Sequence, residues 1–459
     1  MHLPDKMTAL EKRATFSLAS IFALRMFGMF SILPVLALYV KDLPGGDRPL
    51  LIGLALGIDG LAQALLQIPF GLLSDRIGRK KVIYMGLALF ALGSFIAAGG
   101  HDLTTIIFGR LVQGTGAMAA AIIALTADLT REEHRSKAMA TIGMSIGATF
   151  GASMVLGPLL AEHIGVNGIF AMTGVLAIAA MAVVRFVVPN PICSRVHADA
   201  ETVPGQIRAV LGNPELQRLN FGIFSLHAAM RGMFVVIPLA LVSVGGLPSA
   251  SHWTVYLPVM TISFFAAVPA IIIAEKHAKM KQVFSGGVAL VFLSTLTMAL
   301  MLNDFVGLVA GLFGFFLAFN LLEATLPSLV SKIAPAGSKG TAIGVYNTFQ
   351  FLGLFLGGAF GGYLAQHLNQ SAVFAFAAVL AAIWFFLAIT MRPPPAVRTK
   401  LFHVDVADAA QGRELAADLG GLAGVVEAVV VAEEGVAYLK VRMGEWDETG
   451  ALQLMNRGT

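Results

Sequence analysis

The sequence is poor in charged residues and almost free of cysteine. Of its 459 residues, 13% are Asp, Glu, Lys or Arg and 57% are hydrophobic, whereas an ordinary soluble domain carries roughly twice that share of charge. This imbalance excludes a soluble globular protein and indicates a chain that lies in a membrane. The single cysteine, Cys193, excludes an intrachain disulfide, so cysteine usage does not report the redox compartment.

The apolar stretches also lack the alternating pattern of membrane barrel strands, which leaves helices. Stretches of about 20 apolar residues, enough to cross the hydrocarbon core of a bilayer, follow one another along most of the chain. We therefore predict an all-α membrane protein with twelve transmembrane helices. Their predicted limits are 17–40, 51–73, 82–99, 105–128, 138–161, 167–188, 219–243, 253–274, 283–301, 306–331, 340–365 and 371–391.

Lysine and arginine are concentrated in alternate linkers between these spans. The basic linkers are 74–81, 129–137, 195–218, 275–282 and 332–339. Because basic loops stay on the cytoplasmic side, we predict that both termini are cytoplasmic in a bacterial inner (plasma) membrane. The net charge of +4 follows from this topology, so we expect membrane lipid around the chain and no nucleic-acid partner.

Two polar breaks divide the chain. Residues 191–218 separate six spans from six, which predicts a cytoplasmic linker between two six-helix bundles, 1–190 and 219–392. Beyond the proline-rich segment that ends the second bundle, residues 396–459 carry a strand, helix, strand, strand, helix pattern. We predict a small cytoplasmic C-terminal α+β domain of the ferredoxin-like kind, for which ligand binding and self-association both stay open.

The two halves of the membrane region repeat one charge cluster. With a shift of 200 positions, Asp75 aligns with Glu275 and Arg79 aligns with Lys279. Both clusters lie between the second and third spans of their half. Internal repeats of this kind are typical of secondary transporters.

The segment 71–81 resembles the signature that the major facilitator superfamily carries between its second and third spans. That signature is Gly, three residues, Asp, two residues, then Gly-Arg-Lys/Arg, and it is met by Gly71, Asp75, Gly78, Arg79 and Lys80. A second family pattern, Arg followed by Gln-Gly-x-Gly in span four, is met by the segment from Arg110 to Gly116. The resemblance covers residues 15–392.

Two further features narrow this resemblance. The glycine-rich pattern of drug:proton antiporters in span five is met by Gly147, Gly151, Gly157 and Pro158, but its last two glycines are replaced by Ala161 and Glu162. Twelve spans followed by a ferredoxin-like domain resemble the bacterial YajR-type transporters. The resemblance implies a secondary active transporter for a small molecule and not an enzyme.

The resemblance also implies a conformational latch at the end of span two. There Asp75 is expected to meet the positive N-terminal end of span eleven near Gly340, and Arg79 to pair with Asp128 at the end of span four. Such contacts close the cytoplasmic side of a transporter and break when it opens. We assign to this latch Gly71, Asp75, Gly78, Arg79, Lys80 and Asp128.

Ionisable side chains inside spans are costly, so each raises a functional hypothesis. The residues expected to line a proton and substrate cavity are Arg25, Asp59, Arg110, His227, Arg231, Asn320 and Glu323. At about 1.5 Å per residue, His227 and Glu323 lie at one depth. Arg231 and Asn320 lie one turn further along their helices, so two facing pairs are predicted.

The role of the His227 and Glu323 pair stays open between two readings. One is a buried ion pair that locks spans seven and ten together. The other is a proton site, because removal from water favours the neutral form of a carboxylic acid. We expect Glu323 to carry the proton.

The remaining cavity residues carry more positive than negative charge. Arg25 and Asp59 are close enough in depth to form an ion pair between spans one and two. Such a pair would mainly stabilise the structure. Arg110 is expected to be an unpaired guanidinium available to a substrate or a carboxylate. The net positive lining predicts an anionic or neutral substrate.

Other polar and small residues of the spans are expected to hold helices together. Gln63, Gln67, Tyr346, Asn347 and Gln350 are predicted to hydrogen-bond between helices. Three glycines spaced by four in span eleven, Gly353, Gly357 and Gly361, predict close helix packing.

The most direct functional prediction is proton-coupled efflux of a small molecule by alternating access. The sequence leaves two alternatives: import of an anionic metabolite, and a transporter-shaped sensor that signals through its C-terminal domain. Because the chain carries no Gly-Lys-Ser/Thr phosphate motif and no convincing metal site, we expect a proton gradient as its energy source and no cofactor.

Overall fold

The computed structural model describes residues 6–191, 202–276, 279–393, 398–404, 406, 408–432, 435–442 and 445–457. Cys193 lies outside these residues, and so does the side chain of Glu275.

The membrane region is built of long apolar helices that match the predicted spans. Spans 1 to 4 are Ala9–Ser31, Pro49–Ile77, Arg79–Ala98, and Leu103–Thr115 continued by Ala119–Leu129. Spans 5 and 6 lie within the helix Glu132–Phe186, on either side of the non-helical Gly165. Spans 7 to 12 are Pro214–Ser243, Trp253–Lys276, Met280–Leu300, Phe305–Ile333, Lys339–His367 and Gln370–Ile389. We call the side on which span 1 begins the proximal face and the opposite side the distal face.

Gly165 divides the longest helix into two spans. Its φ of 69° and ψ of 170° lie in a region that favours glycine and breaks the helix. Before this residue, span 5 runs in the same direction as span 1, since Ser145 donates to the Ala19 carbonyl and Ser153 to the Phe27 carbonyl, both at 3.4 Å.

Span 6 runs against span 1. Near the distal face, the Tyr39 hydroxyl donates to Asn167 at 2.7 Å, and near the proximal face Arg13 donates to the Val187 carbonyl at 2.8 Å. The chain therefore reverses at Gly165. Among the described residues, eleven apolar helices are long enough to cross a membrane, and the reversal inside one of them gives the twelve crossings that were predicted.

Two spans predicted as continuous helices are interrupted. Span 1 ends at Ser31 and resumes as the short helix Leu36–Val40, beyond Pro34, which has no N–H to continue the helix ladder. Span 4 breaks between Thr115 and Ala119.

The two bundles touch along spans 2 and 11. In the distal half, Gly53 approaches the backbone of Gly358 so closely that no side chain fits, and Leu50 N–H donates to the Gln366 side chain at 3.2 Å. Within the second bundle, Gly357 lies against the backbone of span 7 as predicted for the glycine stripe. Small residues therefore allow both close approaches.

The linker between the bundles is partly helical. It contains the turn Pro204–Gln206 and the helix Ile207–Leu211, and span 7 begins at Pro214, inside the range predicted as linker. Val203 N–H donates to the Thr341 hydroxyl at 2.9 Å, which attaches the linker to the first turn of span 11.

The C-terminal domain has the predicted α+β composition. Its elements are β1 (Arg398–His403), the helix Ala409–Gly420, β2 (Val425–Val431), β3 (Val436–Val441) and the helix Glu448–Arg457. The sheet order is β1-β3-β2 with β3 antiparallel to both neighbours, so β1 and β2 are parallel and β3 lies between them. This split βαβ arrangement is typical of the ferredoxin-like fold.

One face of this sheet is docked on the membrane region. Val429 of β2 lies beside Gly337, in the turn between spans 10 and 11. The buried Lys440 ammonium donates to the Ala334 carbonyl and, at 3.3 Å, to the Lys332 carbonyl, and lies 3.2 Å from Glu427. A cation thus caps the C-terminal end of span 10.

Candidate functional site

Four of the predicted cavity residues lie together near the middle of the membrane region, and we call them the arginine cluster: Arg25, Asp59, Arg110 and Arg231. They come from spans 1, 2, 4 and 7. Each side chain is at most 2% exposed. The cluster therefore joins the first bundle to the second in a region that water does not reach.

Every nitrogen of the Arg110 guanidinium has a hydrogen-bond partner. Its guanidinium donates to Asp59 at 2.7 Å, to the carbonyls of Ala55 and Leu56 at 3.1 and 3.3 Å, and to Gln113 at 3.2 Å. Of the two partners that the sequence left open for Arg110, a substrate or a carboxylate, the structure shows the carboxylate. The side chain fastens span 4 to span 2, because its donors satisfy backbone carbonyls and the one carboxylate at once.

Arg25 does not form the ion pair with Asp59 that the sequence left open. Its Nη2 donates to Gln63 at 2.9 Å, and its guanidinium lies 5.5 Å from the centre of the Phe90 ring. Its Nε and Nη1 are buried and have no hydrogen-bond partner among the described residues. Gln63 thus makes the interhelical bond predicted for it, but to a charged partner.

Arg231 faces the first bundle. Its Nη2 lies 3.7 Å from Asp59 Oδ2, and its buried Nε and Nη1 have no partner in the described part of the chain. The predicted pairing with Asn320 does not form, since that amide donates to Ser263 at 3.1 Å. Counting residues along span 7 gave the depth of Arg231 correctly. It did not predict that its side chain lies towards span 2.

The arginine cluster carries an excess of positive charge. Among the described residues, the cluster has three guanidinium groups and one carboxylate, which pairs with Arg110 and Arg231. In a low-dielectric interior, a charge that is neither paired nor solvated is costly. The cluster is therefore suited to receive a negatively charged group.

A second group, which we call the histidine cluster, consists of His227, Glu323 and Gln350 on spans 7, 10 and 11. His227 Nε2 lies 3.6 Å from Glu323 Oε1, so the predicted adjacency is present. The Gln350 amide lies 2.8 Å from the same ring nitrogen. All three residues belong to the second bundle.

The hydrogen-bond partners of His227 fit a neutral ring with its hydrogen on Nδ1. Its Nδ1 lies 3.2 Å from the Ile223 carbonyl, which only accepts, so this nitrogen carries the hydrogen. Nε2 is then free to accept from Gln350. Glu323, 33% exposed in its side chain, therefore has an uncharged neighbour, and its Oε1 has no hydrogen-bond partner among the described residues.

Aromatic rings lie on the distal side of the histidine cluster. Phe319 is 5.7 Å from the His227 ring and 5.7 Å from Phe150 of span 5, which also contacts Phe316 at 6.0 Å. Aromatic rings therefore pack against the histidine cluster from its distal side.

Three of the predicted latch residues, Asp75, Arg79 and Asp128, meet at the proximal face. Arg79 is buried and forms ion pairs with Asp75 and, at 3.4 Å, with Asp128, as expected, and donates to Ser74 at 2.9 Å. Gly78 has a φ of 101°, which favours glycine between spans 2 and 3. Sequence reasoning missed Ser74.

Asp75 and Gly340 border one cavity of about 30 Å³, which Gly71 and Thr202 also line. The aspartate therefore faces the N-terminal end of span 11 across this cavity. Lys80 points elsewhere, since it donates to the Val188 carbonyl and to Asn190, both at 2.7 Å. It fixes the end of span 6.

An additional ion pair at the proximal face was not predicted. Glu11, at the start of span 1, accepts from Arg131 Nε at 3.0 Å and from the Arg131 backbone at 2.9 Å. The pair fastens span 1 to the segment that follows span 4. The capping pattern from Thr8 to Glu11 was the sequence signal that could have located it.

The chain matches known proteins over most of its length. The profile of the Major Facilitator Superfamily matches residues 18–358 and 324–419. The chain is 47% identical over 436 residues to the Inner membrane transport protein YajR of Escherichia coli (strain K12), covering 95% of each chain. It is 23% identical over 373 residues to the Quinolone resistance protein NorA of Staphylococcus aureus (strain COL), covering 78% of this chain and 91% of the relative.

A similar fold occurs in the crystal structure of a human organic anion transporter. The TM-score is 0.63 at 17% sequence identity, and the match covers 83% of this chain and 100% of that one. At this identity the likeness concerns the fold alone.

Proposed function

The chain belongs to the major facilitator superfamily, and from that membership we propose that it is a proton-coupled transporter that exports a small molecule by alternating access. Members of the family are multi-pass membrane transporters and not enzymes. Secondary active transport of a small molecule follows from this membership. The direction of transport and its coupling to protons are what we propose.

The position and surroundings of Glu323 are the observation that supports the proposed proton coupling. It is a carboxylic acid in the middle of span 10, one third exposed in its side chain and adjacent to His227, whose hydrogen-bond partners fit a neutral ring. No described cation lies within ion-pair distance of it. A carboxylate placed in this way is neutralised by binding a proton, and it releases the proton when water reaches it.

Two observations support export by alternating access. The bundles are in backbone contact in the distal half along spans 2 and 11, and this contact must separate for the distal side to open. One relative, 23% identical, is described as a quinolone resistance protein, which fits removal of a compound from the cell. Transport then requires the bundles to exchange which end is closed.

We further propose that Arg79 and its acidic partners act as the latch. Asp75 and Asp128 hold Arg79 on the first bundle, and Asp75 faces the first turn of span 11 on the second bundle. A negative charge is favoured at a helix N-terminus. Asp75→Asn should therefore shift molecules towards the proximally open state, measured as longer label distances between residues 76 and 339; an unchanged distance distribution contradicts the latch.

We place the proximal face, with both termini and the C-terminal domain, in the cytoplasm of a bacterial inner membrane. The basic linkers lie on this face, and basic loops are retained in the cytoplasm. The name of the relative at 47% identity agrees with that membrane.

The decisive experiment is proton flux in vesicles that contain the purified chain. Compounds are screened for a substrate-dependent proton flux, and Glu323→Gln is expected to abolish the flux while thermal unfolding stays unchanged. Glu162→Gln, the same change at an exposed position of span 5, is the matched control and should retain the flux. Proton-coupled flux through Glu323→Gln at the wild-type rate contradicts the proposal, and binding without any flux favours the sensor alternative.

A further inference from the structure

Two guanidinium groups of the arginine cluster approach span 2 at successive turns, and Asp59 acts on both. Arg25 comes from the first bundle and binds Gln63, while Arg231 comes from the second bundle and lies beside Asp59, one turn earlier. Both side chains are almost fully buried, at 2% and 1% exposure. Each has two nitrogens, Nε and Nη1, without a partner among the described residues.

Asp59 is shared unequally between its two cations. Oδ1 accepts a hydrogen bond from Arg110 at 2.7 Å, whereas Oδ2 accepts none from the described residues and lies 3.7 Å from Arg231. The carboxylate is therefore hydrogen-bonded to Arg110, and its contact with Arg231 is longer and has no hydrogen bond. An ion pair without a hydrogen bond is the contact in this cluster that is most easily replaced.

We infer that Arg25 and Arg231 bind the anionic group of the transported molecule, a carboxylate, phosphate or sulfate, and that Asp59 stands beside Arg231 in its place when the site is empty. A planar guanidinium presents paired N–H donors that match the oxygens of such a group. The inference rests on the proposed transport function and names its substrate class.

The same geometry connects binding to movement of the bundles. Asp59 belongs to the first bundle and Arg231 to the second, so a ligand that replaces Asp59 removes an attraction between them. The ligand then carries the charge that bridges Arg25 and Arg231. A lipophilic cation meets two guanidinium groups at this place and is repelled.

The test measures thermal stabilisation of the purified full chain in detergent by matched compounds. The anions are benzoate, phenyl phosphate and inorganic sulfate, and benzamide is the uncharged counterpart. The anions are expected to stabilise the wild-type chain, and benzamide is not. Stabilisation by sulfate alone also supports the inference and identifies an inorganic anion site; an organic anion alone identifies a site for organic acids.

The variants assign the binding to this site. Arg231→Gln and Arg25→Gln should weaken anion binding by about 30-fold or more, because a buried charged partner is lost. Arg231→Lys, which keeps the charge and the fold, should weaken it by about tenfold. Arg185→Gln, an exposed arginine at the end of span 6, is the control and should change nothing.

Asp59→Asn gives the most specific result. Removing the internal carboxylate should tighten anion binding, because the ligand no longer competes with it. If this variant does not fold, the comparison of Arg231→Lys with Arg185→Gln decides the question. Weaker binding by Asp59→Asn, binding that survives Arg231→Gln, or no anion binding to the wild type overturns the inference.

The outcomes separate this inference from the proposed function. Proton-coupled flux of a cation or an uncharged compound, lost in Glu323→Gln and unaffected by Arg231→Gln, refutes the anion site and retains the transport function. Anion binding through Arg231 without any flux retains the site and refutes proton-coupled transport.

Discussion

The arginine cluster and the histidine cluster differ in net charge, in exposure and in the bundles that supply their residues. The first is enclosed, carries an excess of positive charge and joins both bundles, whereas the second contains Glu323 at 33% exposure and lies within one bundle. They have span 7 in common, since His227 and Arg231 are one turn apart on it. A single helix therefore links a group suited to protons with a group suited to anions.

A second contrast lies inside the arginine cluster. Arg110 makes hydrogen bonds with all of its nitrogens, whereas Arg231 has an ion pair and two unpartnered nitrogens among the described residues. Two buried arginines of one cluster therefore differ in how many of their donors are satisfied. One stabilises the fold, and the other retains binding capacity.

The largest expected effect is that of Arg110→Gln on stability. The change leaves Asp59 without its hydrogen-bonded cation, and losing one partner of a buried pair costs about 3–5 kcal/mol. Arg231→Gln lowers the excess positive charge and should change the unfolding free energy by less than about 1 kcal/mol. Thermal unfolding of both purified variants checks the contrast, and equal destabilisation would show that the two arginines do not differ.

The next effect separates His227 from Glu323. Because the ring is neutral and contributes one hydrogen bond from Gln350, His227→Gln should slow proton-coupled flux by about tenfold without abolishing it. Gln350→Ala removes the same bond and is the matched variant. Complete loss of flux in His227→Gln, as expected for Glu323→Gln, contradicts the assignment of the proton to the glutamate.

A smaller effect concerns the end of the helix that carries Glu323. Lys440→Met removes the ammonium from the carbonyls of Lys332 and Ala334, so amide hydrogen exchange at Ala334 should accelerate by about tenfold. Exchange at residues 55–60 should stay unchanged. Arg442→Met, on the same domain in an exposed pair with Glu445, is the control. Equal protection in Lys440→Met and the wild type contradicts docking of the domain on span 10.

The smallest effect is that of Tyr346→Phe, next to the histidine cluster on span 11. The Tyr346 hydroxyl is buried and has no hydrogen-bond partner among the described residues. Its removal should change the unfolding free energy by less than about 1 kcal/mol, with stabilisation the favoured sign. A loss of more than about 2 kcal/mol in thermal unfolding would reveal a partner for the hydroxyl.

Sequence reasoning located the spans and their depths better than their directions. The rise per residue placed His227 and Glu323 at one level, because depth depends only on counting along a helix. The Arg231 contact with Asp59 depends on how two bundles are turned towards each other, which no single-helix pattern contains. For the same reason, the sequence did not show whether the partner of Arg110 is a substrate or a carboxylate, and the structure shows that it is Asp59.

The breaks inside spans were also beyond the sequence patterns. Pro34 and Gly116 lie in apolar stretches whose composition continues across them, so hydropathy predicted unbroken helices. Gly78 was recognised because its spacing from Asp75 and Arg79 belongs to a family signature. A glycine conformation is therefore predictable where a motif fixes it and not where tertiary packing does.

The connection at Gly165 leaves spans 5 and 6 without slack. One extended residue reaches at most about 3.6 Å, so the distal ends of the two helices cannot move apart. Span 6 is tied at its other end to Lys80 beside the signature segment and to Arg13 at the start of the chain. Spans 5 and 6 therefore stay in contact at their distal ends, and a displacement of one distal end moves the other with it.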